Sequence, residues 1–366
     1  MKQRSIDIAI SITAGALILS LSVGLWLLPS KDFSEEENRL LSPLPSLRLS
    51  TLTDGSFSQE LGDFLRDRLP LRLNFIRLKT LSELLLLKGE AGGVIFCRDG
   101  YLLLRGEYES LDRAQRSLSE ISDLRQALTE KGIPTNAIYL PRGIDVMSGK
   151  LPLLYRGNEG DILQLIEESK ENIDLLPLLR DAAETGEQVW FRTDHHWTSH
   201  GAYIAYVYLS SMLGYTPYEK DFFYIETISE NFLGSVYSRA GCIAPPPDTV
   251  DLYRYEGDDQ YRLIADDTTH HKGLYFFDLL GTKDKYSIFL GGNYARLTVE
   301  KEADEERPRL LLIKDSYANA LVPFLALHFD IELIDPRFYS GFEEIYEMVE
   351  NVDYVLIIQG VDTIAT

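Results

Sequence analysis

The most informative run for the fold of this chain is Leu310-Leu311-Leu312-Ile313-Lys314-Asp315-Ser316-Tyr317-Ala318-Asn319. Its four apolar residues predict a buried strand, and the polar residues after them predict a turn into a helix over Tyr317–His328. A serine at such a turn lies at a helix N-terminus, where backbone N–H groups can stabilise an oxyanion. Aspartate and serine are also good N-cap residues. Taken alone, the stretch therefore favours a helix cap over a nucleophile.

Strands and helices alternate along most of the chain around this stretch. Apolar runs predict further strands at Ala137–Leu140, Val189–Phe191, Ser287–Leu290, Ile331–Ile334 and Tyr354–Ile358. Helical spacing of apolar residues predicts helices at Leu111–Lys131, Asp161–Arg180, Gly201–Leu213 and Phe342–Val349. Strands separated by helices indicate βαβ units and a mainly parallel sheet, with the active site at the carboxyl ends of strands. We therefore expect an α/β fold, with an irregular middle between residues 215 and 285.

A second polar cluster follows the predicted strand Val189–Phe191. Three of the six histidines fall close together in the run Arg192-Thr193-Asp194-His195-His196-Trp197-Thr198-Ser199-His200. Asp194 can accept a hydrogen bond from the Nδ1–H of His196, which fixes the tautomer and orients the ring. With this loop present, a nucleophilic Ser316 becomes the favoured interpretation, with His196 as its base. His195 is expected to point the other way, as neighbours on an extended segment do.

Two other interpretations of the histidine loop remain. The histidines can form a hydrogen-bonded structural cluster that performs no chemistry. His196 and His200 also stand four residues apart, so together with Asp194 they can ligate a metal ion. Against a metal site, the loop has no Glu in an HExxH arrangement, and His200 lies where the helix Gly201–Leu213 is predicted to begin. We therefore predict neither a metal nor a cofactor.

The N-terminal region carries an uncharged apolar run from Ile8 to Leu28, close to the ~20 residues that span a bilayer core. Lys2 and Arg4 precede the run, and positive charge before a span keeps the N-terminus in the cytoplasm and the rest outside. A cleaved signal peptide would have a shorter apolar region that ends in small residues. We therefore predict an uncleaved, single-pass transmembrane anchor in the cell membrane, rather than a signal peptide or a buried soluble helix.

The composition and net charge of the chain argue against some classes of function. The chain has 366 residues and a formal net charge of −21, and such a field repels nucleic acid and anionic membrane surfaces. Its two cysteines, Cys97 and Cys242, form no CxxC and fit two buried thiols better than one disulfide.

We divide the chain into a cytoplasmic tail and anchor (1–29), a stalk with a helical and hairpin segment (30–109), and a catalytic α/β domain (110–366).

Two motifs resemble the bacterial DHHW protein family: Asp-His-His-Trp at 194–197 and Lys-Asp-Ser-Tyr-Ala-Asn at 314–319. That family resembles the SGNH-like acetyltransferases that modify exopolysaccharides, such as the alginate acetylation proteins of the periplasm. In those proteins an Asp-x-His-Trp motif supplies the acid and the base, and it precedes the nucleophilic serine, the reverse of ordinary SGNH hydrolases. The order here is the same. Asp315-Ser316 resembles the Gly-Asp-Ser block of SGNH enzymes, with Lys314 in place of its glycine.

The resemblance implies an SGNH-hydrolase-like parallel sheet flanked by helices, with a circularly permuted motif order and the catalytic triad Asp194, His196 and Ser316. It implies serine-dependent acyl transfer outside the cytoplasm, as O-acetylation or deacetylation of a cell-envelope polysaccharide, without a cofactor. A transferase in that location would need a membrane partner that delivers acyl groups. The alternative is a non-catalytic, membrane-anchored protein that binds glycan or assists envelope assembly.

The oxyanion hole is the least defined part of this expectation. SGNH enzymes use a Gly and an Asn there, and neither has an obvious counterpart in this sequence. Three side chains follow predicted strands, where a sheet presents functional groups: Asn293, Arg337 and Gln359. We take these three as candidates for binding substrate or the oxyanion.

Overall fold

The structure is a computed structural model of the chain. It describes residues 2–27, 32–34, 39–106, 110–157, 160–169, 175–241, 245–265, 269–302, 306–339, 345 and 348–365. Cys242 and most of the helix predicted at Phe342–Val349 lie outside these residues. The chain divides into two compact units, residues 1–88 with 238–243 and residues 89–237 with 244–366, and each is described by itself.

The described elements are as follows. The helices are α1 (Lys2–Leu27), α2 (Leu49–Thr53), α3 (Ser56–Arg68), α4 (Arg72–Leu85), α5 (Leu111–Glu130), α6 (Gly143–Val146), α7 (Gly160–Glu168), α8 (Leu175–Glu184), α9 (Ser199–Leu213), α10 (Ser235–Ala240), α11 (Val322–Leu325) and α12 (Val361–Ala365). The strands are β1 (Phe33–Ser34), β2 (Arg39–Leu40), β3 (Glu90–Ala91), β4 (Val94–Phe96), β5 (Leu102–Leu104), β6 (Thr135–Leu140), β7 (Tyr224–Phe232), β8 (Asp248–Arg254), β9 (Tyr261–Ala265), β10 (Thr269–Lys272), β11 (Arg296–Lys301), β12 (Arg309–Lys314), β13 (Asp330–Ile334) and β14 (Tyr354–Gly360). Short 3₁₀ helices include Lys285–Ile288 and Ser316–Ala320.

The smaller unit is mostly helical. Within α1, the 20-residue stretch Ile6–Leu25 has a mean hydropathy of 2.2. By length and composition this helix can cross a membrane, and a signal sequence meets the same criteria. After it, α3 and α4 are separated at Pro70, because proline has no backbone N–H to continue the first helix. Thr80 of α4 is buried and donates through Oγ1 to the Ala240 carbonyl at 2.7 Å.

The centre of the larger unit is a seven-stranded mixed sheet with the order β10-β9-β11-β13-β12-β14-β6. Strands β13, β12, β14 and β6 pair in parallel, and Ile313 of β12 lies opposite Ile334 and Ile357 of its two neighbours. Strands β10, β9 and β11 extend this sheet by antiparallel pairing. The mainly parallel sheet predicted from the sequence is therefore wrong in part, because its antiparallel half comes from the region predicted to be irregular and from residues just after it.

The parallel strands are buried on both faces, which explains their continuous apolar sequences. On one face, Leu311 and Ile313 of β12 pack with Leu128 of α5. On the other face, Leu312 packs into the large core that contains much of α9 and β8. Because the four strands are parallel, their carboxyl ends meet at one edge of the sheet. Ser316 lies two residues after β12, at this edge.

Several predicted elements are confirmed. The strands predicted at Ala137–Leu140, Leu310–Ile313, Ile331–Ile334 and Tyr354–Ile358 are β6, β12, β13 and β14, and the helices predicted at Leu111–Lys131 and Gly201–Leu213 are α5 and α9. Long, continuous or strongly periodic apolar patterns mark all of these elements.

Other predicted elements are wrong. The strand predicted at Ser287–Leu290 is a 3₁₀ helix that leads into Leu290, whose left-handed φ of 62° does not fit a strand. The helix predicted at Tyr317–His328 is a 3₁₀ turn followed by the short α11, because Pro323 cannot donate to a continuous helix. The helix predicted at Asp161–Arg180, by contrast, is confirmed at its two ends by α7 and α8, and residues 170–174 between them lie outside the described residues.

Candidate active site

Ser316 begins the 3₁₀ turn that follows β12, and the neighbouring Asp315 caps that turn. Oδ1 of Asp315 accepts a hydrogen bond from the Tyr317 backbone N–H at 3.0 Å. Its Oδ2 accepts from the Gly360 N–H and from Thr363 Oγ1, each at 2.6 Å. Asp315 therefore supplies the helix cap that the sequence suggested as the alternative to a nucleophile. The Ser316 hydroxyl remains available for a different partner.

The loop that carries His196 is a tight turn rather than the end of a sheet strand. Trp190 and Trp197 form an isolated antiparallel bridge across it, and the Phe191 N–H donates to the His196 carbonyl at 3.2 Å. The strand predicted at Val189–Phe191 is therefore wrong, because its backbone pairs across its own loop and not with the central sheet. The loop still brings its polar side chains to the edge where Ser316 lies.

A buried carboxylate holds the start of this loop. Oδ1 of Asp248 accepts from the Arg192 N–H at 2.9 Å, and Oδ2 accepts from the Thr193 N–H and hydroxyl at 2.8 and 2.7 Å. Gln188 Nε2 donates to Oδ1 at 3.0 Å. Burial raises the pKa of Asp248 against the opposing effect of these donors. The backbone just before Asp194 is thereby fixed by a single side chain.

The structure brings Asp194, His196 and Ser316 into one chain of hydrogen bonds. Oδ1 of Asp194 lies 2.6 Å from His196 Nδ1, and His196 Nε2 lies 2.9 Å from Ser316 Oγ. The other carboxylate oxygen of Asp194 accepts from the Ser235 N–H at 2.7 Å. The side chains of all three residues are buried. Because the carboxylate accepts from Nδ1–H, Nε2 is the nitrogen that can accept the serine proton.

Burial and neighbouring rings set the charges in this chain. Burial alone would raise the pKa of Asp194, but the adjacent imidazoles of His195 and His196 outweigh it and hold that pKa well below its usual range. Burial, with the charge of His195, lowers the pKa of His196 to about 4 against the opposing charge of Asp194. At neutral pH the pair is therefore a carboxylate beside a neutral imidazole, the state that a general base requires.

His195 lies beside His196, so the expectation that it points away is wrong. The two ring centroids are 3.8 Å apart with their planes tilted by 39°, because the segment is a tight turn and not extended. Nδ1 of His195 lies 2.6 Å from Ser235 Oγ and 3.5 Å from Asp194 Oδ1. Of the two imidazoles, His196 is the one that contacts Ser316.

The metal-binding alternative involves some of the same side chains. Ligand atoms of Asp194, His195 and His196 lie within 4.8 Å of one another. Both nitrogens of His196 already have partners, so a metal on that ring would displace either the carboxylate or the serine hydroxyl. His200 does not join the group. Its Nδ1 lies 2.8 Å from the Tyr253 hydroxyl, and its Nε2 bonds the carboxylate of Glu187. The alternative ligand set of Asp194, His196 and His200 is therefore not brought together.

The three oxyanion candidates have different surroundings. Asn293 is exposed, and its Oδ1 lies 3.1 Å from Nδ2 of Asn319, which belongs to the serine turn. Arg337 donates from Nε and Nη2 to Asp335 at 2.9 and 2.6 Å. Gln359 and Arg337 both line a cavity of about 720 Å³. The structure therefore links one candidate, Asn293, to the serine turn by a described side-chain hydrogen bond.

Two groups that hold the site were not predicted from the sequence. The ring of Tyr286 stacks on His196, and its hydroxyl donates to the Tyr317 carbonyl at 3.0 Å. Trp197 Nε1 donates to the same carbonyl at 2.8 Å. Tyr286 lies next to the region predicted to be irregular, and no spacing in the sequence marks it. Trp197 could have been found, because it is the last residue of the Asp-His-His-Trp motif and a buried indole N–H needs an acceptor.

The chain is similar in sequence to one protein family and in fold to solved structures. The profile of the DHHW protein family matches residues 170–334, whereas no curated protein matches the chain in sequence. A DHHW family protein from Eubacterium siraeum has a similar solved structure, with 22% identity and a TM-score of 0.61, over 76% of this chain and 93% of that one. Bacillus cereus PatB1 is similar with 20% identity and a TM-score of 0.62, over 75% of this chain and 97% of that one. PatB1 has also been solved with a sulfonyl adduct.

At these identities the likeness to the solved structures is one of fold. The family match spans both the loop with Asp194 and His196 and the turn with Ser316. The resemblance to the DHHW protein family that the two sequence motifs predict is therefore confirmed.

Proposed function

We propose that the protein is a serine-dependent acyl-transfer enzyme that works outside the cytoplasm on a cell-envelope polysaccharide. One observation supports this proposal above all others: the unbroken chain of hydrogen bonds from Asp194 through His196 to Ser316, at 2.6 and 2.9 Å. A buried carboxylate, a neutral imidazole and a hydroxyl in this order are the groups that activate a serine nucleophile. A structural cluster would not need the serine hydroxyl to face the unprotonated ring nitrogen.

The first half of the reaction would form an acyl-enzyme. His196 Nε2 takes the hydroxyl proton as Ser316 Oγ attacks the carbonyl carbon of an ester. The C–O bond to the leaving alcohol then breaks, and that alcohol takes the proton from His196. Asp194 remains a carboxylate and stabilises the imidazolium that exists between the two proton transfers. These steps need only the three side chains and the ester.

The second half would return the serine to its free state. An acceptor hydroxyl gives its proton to His196 Nε2 and attacks the acyl carbon. The bond between that carbon and Ser316 Oγ breaks, and Oγ takes the proton back. If the acceptor is a sugar hydroxyl, the product is an O-acylated glycan, and if the acceptor is water, the enzyme is an esterase. The same three side chains serve both outcomes.

The proposed location of the enzyme rests on its N-terminal helix. We propose that α1 is an uncleaved anchor and that the catalytic domain faces the envelope, because Lys2 and Arg4 precede the apolar run. A transferase there would receive acyl groups from a membrane partner. The proposal includes an SGNH-like catalytic domain, residues 110–366, in which the Asp-x-His motif precedes the serine in a permuted order, and a stalk at residues 30–109.

A two-part experiment tests the chemistry. The detergent-solubilised chain should hydrolyse a small synthetic ester, 4-nitrophenyl acetate, and a sulfonyl fluoride should add one sulfonyl group at Ser316, located by peptide mass spectrometry. Ser316→Ala should abolish both reactions. His196→Ala should lower hydrolysis to the residual level that remains without a base, roughly 10³- to 10⁴-fold above water at most. Ser210→Ala is the matched control, because that serine donates only to a helix carbonyl.

The outcomes separate the two classes of function. Loss of both reactions in Ser316→Ala, with both retained in Ser210→Ala, supports the enzyme. Hydrolysis that persists unchanged in a folded Ser316→Ala variant contradicts it. A folded wild-type chain that neither reacts with the sulfonyl fluoride nor hydrolyses the ester favours the other class, a membrane-anchored protein that binds glycan without chemistry.

A further inference from the structure

Lys314 is a buried cation at the carboxyl end of β12, and the reaction steps above do not use it. Its Nζ donates to Asn319 Oδ1 at 2.7 Å and to Asn293 Oδ1 at 3.4 Å. Oδ2 of Asp335 lies further away, at 3.9 Å, and that carboxylate is already held by two guanidinium nitrogens of Arg337. The shortest contact of this ammonium group is therefore to the Asn319 amide, and the Asn293 amide and the Asp335 carboxylate lie further away.

These contacts determine how the two amides are oriented. Asn319 is buried, and its Nδ2 donates to Asn293 Oδ1 at 3.1 Å and to the Gly292 carbonyl at 3.2 Å. Oδ1 of Asn293 thus accepts from both Asn319 and Lys314. A flipped Asn293 amide would place its NH₂ group against two donors. The Asn293 NH₂ group therefore points away from them, and among the described residues nothing accepts from it.

Lys314 and Asn319 are close to the nucleophile along the chain, and Lys314 lies on the face of the sheet that packs towards the loop of the base. Lys314 precedes Ser316 by two residues, and Asn319 belongs to the same 3₁₀ turn. Alternation along β12 gives Lys314 the face of Leu312. That face packs into the core that contains Trp197 and Tyr286.

The other two candidates lack this arrangement. Gln359 and Ile357 line the same cavity of about 720 Å³. Ile357 packs on the face of the sheet opposite to that of Leu312 and Lys314. The Arg337 guanidinium is engaged by Asp335. Asn293 is exposed, linked to the serine turn, and oriented with its donor group outward.

Stability gives little reason for a cation at this position. Burial lowers the pKa of Lys314 to about 8, with the nearby carboxylate of Asp335 acting in the opposite direction. A buried charge costs free energy, and apolar side chains of similar volume are often no worse for stability. Removing this ammonium would also leave Asp335 paired with Arg337. The orientation of the two amides accounts for the charge better than stability does.

We propose that Lys314 is a positioning residue, which holds the Asn319 and Asn293 amides so that Asn293 Nδ2–H donates to the oxyanion formed when Ser316 attacks an ester. The role rests on the proposed function. Preoriented donors of this kind act mainly in the transition state, so the structure assigns Lys314 an effect on kcat rather than on KM.

Kinetics of 4-nitrophenyl acetate hydrolysis by the full chain test this role. Asn293→Ala should lower kcat by about 10²-fold, the effect of losing one oxyanion donor. Lys314→Met should lower kcat by about 10-fold or more through misplacement of that donor, with KM little changed. The matched control is Lys301→Met, because Lys301 lies on β11 of the same sheet with its Nζ over the Tyr261 ring. The control should keep the wild-type kcat.

A double-mutant cycle separates positioning from a general loss of structure. If Lys314 acts through Asn293, the Lys314→Met/Asn293→Ala variant should have the same kcat as Asn293→Ala alone. Effects that multiply, or a Lys314→Met variant with the wild-type kcat, would overturn the proposal. If circular dichroism shows that Lys314→Met does not fold, Asn319→Ala replaces it in the cycle. Asn319 accepts from Lys314 and donates to Asn293, so its removal also breaks the connection between them.

Wild-type reactivity distinguishes the failure of this proposal from the failure of the function on which it rests. A wild-type chain that is inert towards both the ester and the sulfonyl fluoride overturns the two together. An active wild-type chain whose Lys314 and Asn319 variants are equally active overturns the positioning role alone. Sulfonylation of Ser316 in the variants adds a further check, because attack on sulfur still needs the base.

Discussion

The imidazole of His196 lies flat on the phenol ring of Tyr286, with centroids 3.8 Å apart and planes within 5° of parallel. The Tyr286 hydroxyl also reaches the serine turn and donates to the Ser316 and Tyr317 carbonyls at 3.2 and 3.0 Å. Burial raises the pKa of Tyr286 far above its usual range, so this hydroxyl remains a neutral donor. One side chain thus contacts both the proposed base and the turn that carries the proposed nucleophile.

Removing the Tyr286 ring should therefore reduce activity more than removing its hydroxyl. We expect Tyr286→Phe to keep the stacked ring, to lose about 1 kcal/mol of stability for the missing hydrogen bond, and to retain most of the ester hydrolysis. Tyr286→Leu frees His196 to rotate and should lower kcat by about 10-fold or more. Steady-state kinetics and thermal unfolding of both variants check this. Equal activity of the two would mean that the stacking does not orient the base.

Gly234 leaves no room for a side chain beside Asp194. A Cβ at this position would have Asp194 Oδ2 and Cβ within 2.4 Å, so the carboxylate would have to move. We expect Gly234→Ala to lose about 1–3 kcal/mol of stability from overpacking and about 10²-fold in kcat from the misplaced carboxylate. Gly149→Ala is the control, because a Cβ added to Gly149 would have no atom within 4 Å. Thermal unfolding and ester hydrolysis give the two readouts, and a Gly234→Ala variant with unchanged kcat would contradict the prediction.

The pH profile of hydrolysis should report the titration of His196. His196 can act as a base only when it is neutral. Activity should therefore be lost as the pH falls through the pKa of His196, and it should be constant above that pKa. That pKa is lowered to about 4 by burial and by the neighbouring His195, below the ~6.5 of an ordinary histidine. kcat should therefore be nearly the same at pH 6 and pH 7. A limb centred at the ordinary histidine pKa would show that His196 is better solvated than the structure indicates.

Replacing His195 should move this acid limb to higher pH. The charge of His195 is one of the causes that lower the pKa of His196, so its removal leaves the base easier to protonate. We expect His195→Ala to retain hydrolysis at pH 8, where His196 is neutral in either protein, and His196→Ala to show only the residual level at every pH. Activity profiles of the two variants check the assignment. The opposite result would make His195 the base.

The membrane topology has its own test. A chain that begins near Phe33 lacks α1 and should be soluble, fold independently and hydrolyse 4-nitrophenyl acetate. In intact cells, added protease should digest the catalytic domain of the full-length protein, because an apolar span after positive charges places the rest of the chain outside. Complete protection of that domain, with a known external protein digested in the same cells, would contradict both the topology and a role in the envelope.

The central strands and the meeting of Asp194, His196 and Ser316 could be predicted because their patterns are local. Continuous apolar runs mark β12 and β14, and the Asp-x-His spacing at 194–196 allows a carboxylate to meet an imidazole whatever the surrounding fold. The side chains that support them could not be predicted. Asp248 comes after a run of three prolines with no pattern that connects it to residue 193, and only the folded chain places its carboxylate against that backbone.

The errors in strand prediction have a common physical cause. Val189–Phe191 has the apolar composition of a strand, but Trp190 pairs with Trp197 across a tight turn. Ser287–Leu290 has the same composition, but Leu290 adopts a left-handed φ. Short apolar runs show only that residues are buried, and whether their backbone joins a sheet is decided by tertiary contacts.

His196 and Ser316 are 120 positions apart in the chain and 2.9 Å apart in the fold, and the cap beside Ser316 depends on Gly360 and Thr363. Before these segments meet, the Ser316 hydroxyl is an ordinary alcohol with no base to activate it. On the topology we propose, a chain still passing through a translocation channel is therefore harmless to the esters of the cell that makes it. Reactivity would arise only on the far side of the membrane, at the end of folding, without an inhibitor or a propeptide having to be removed.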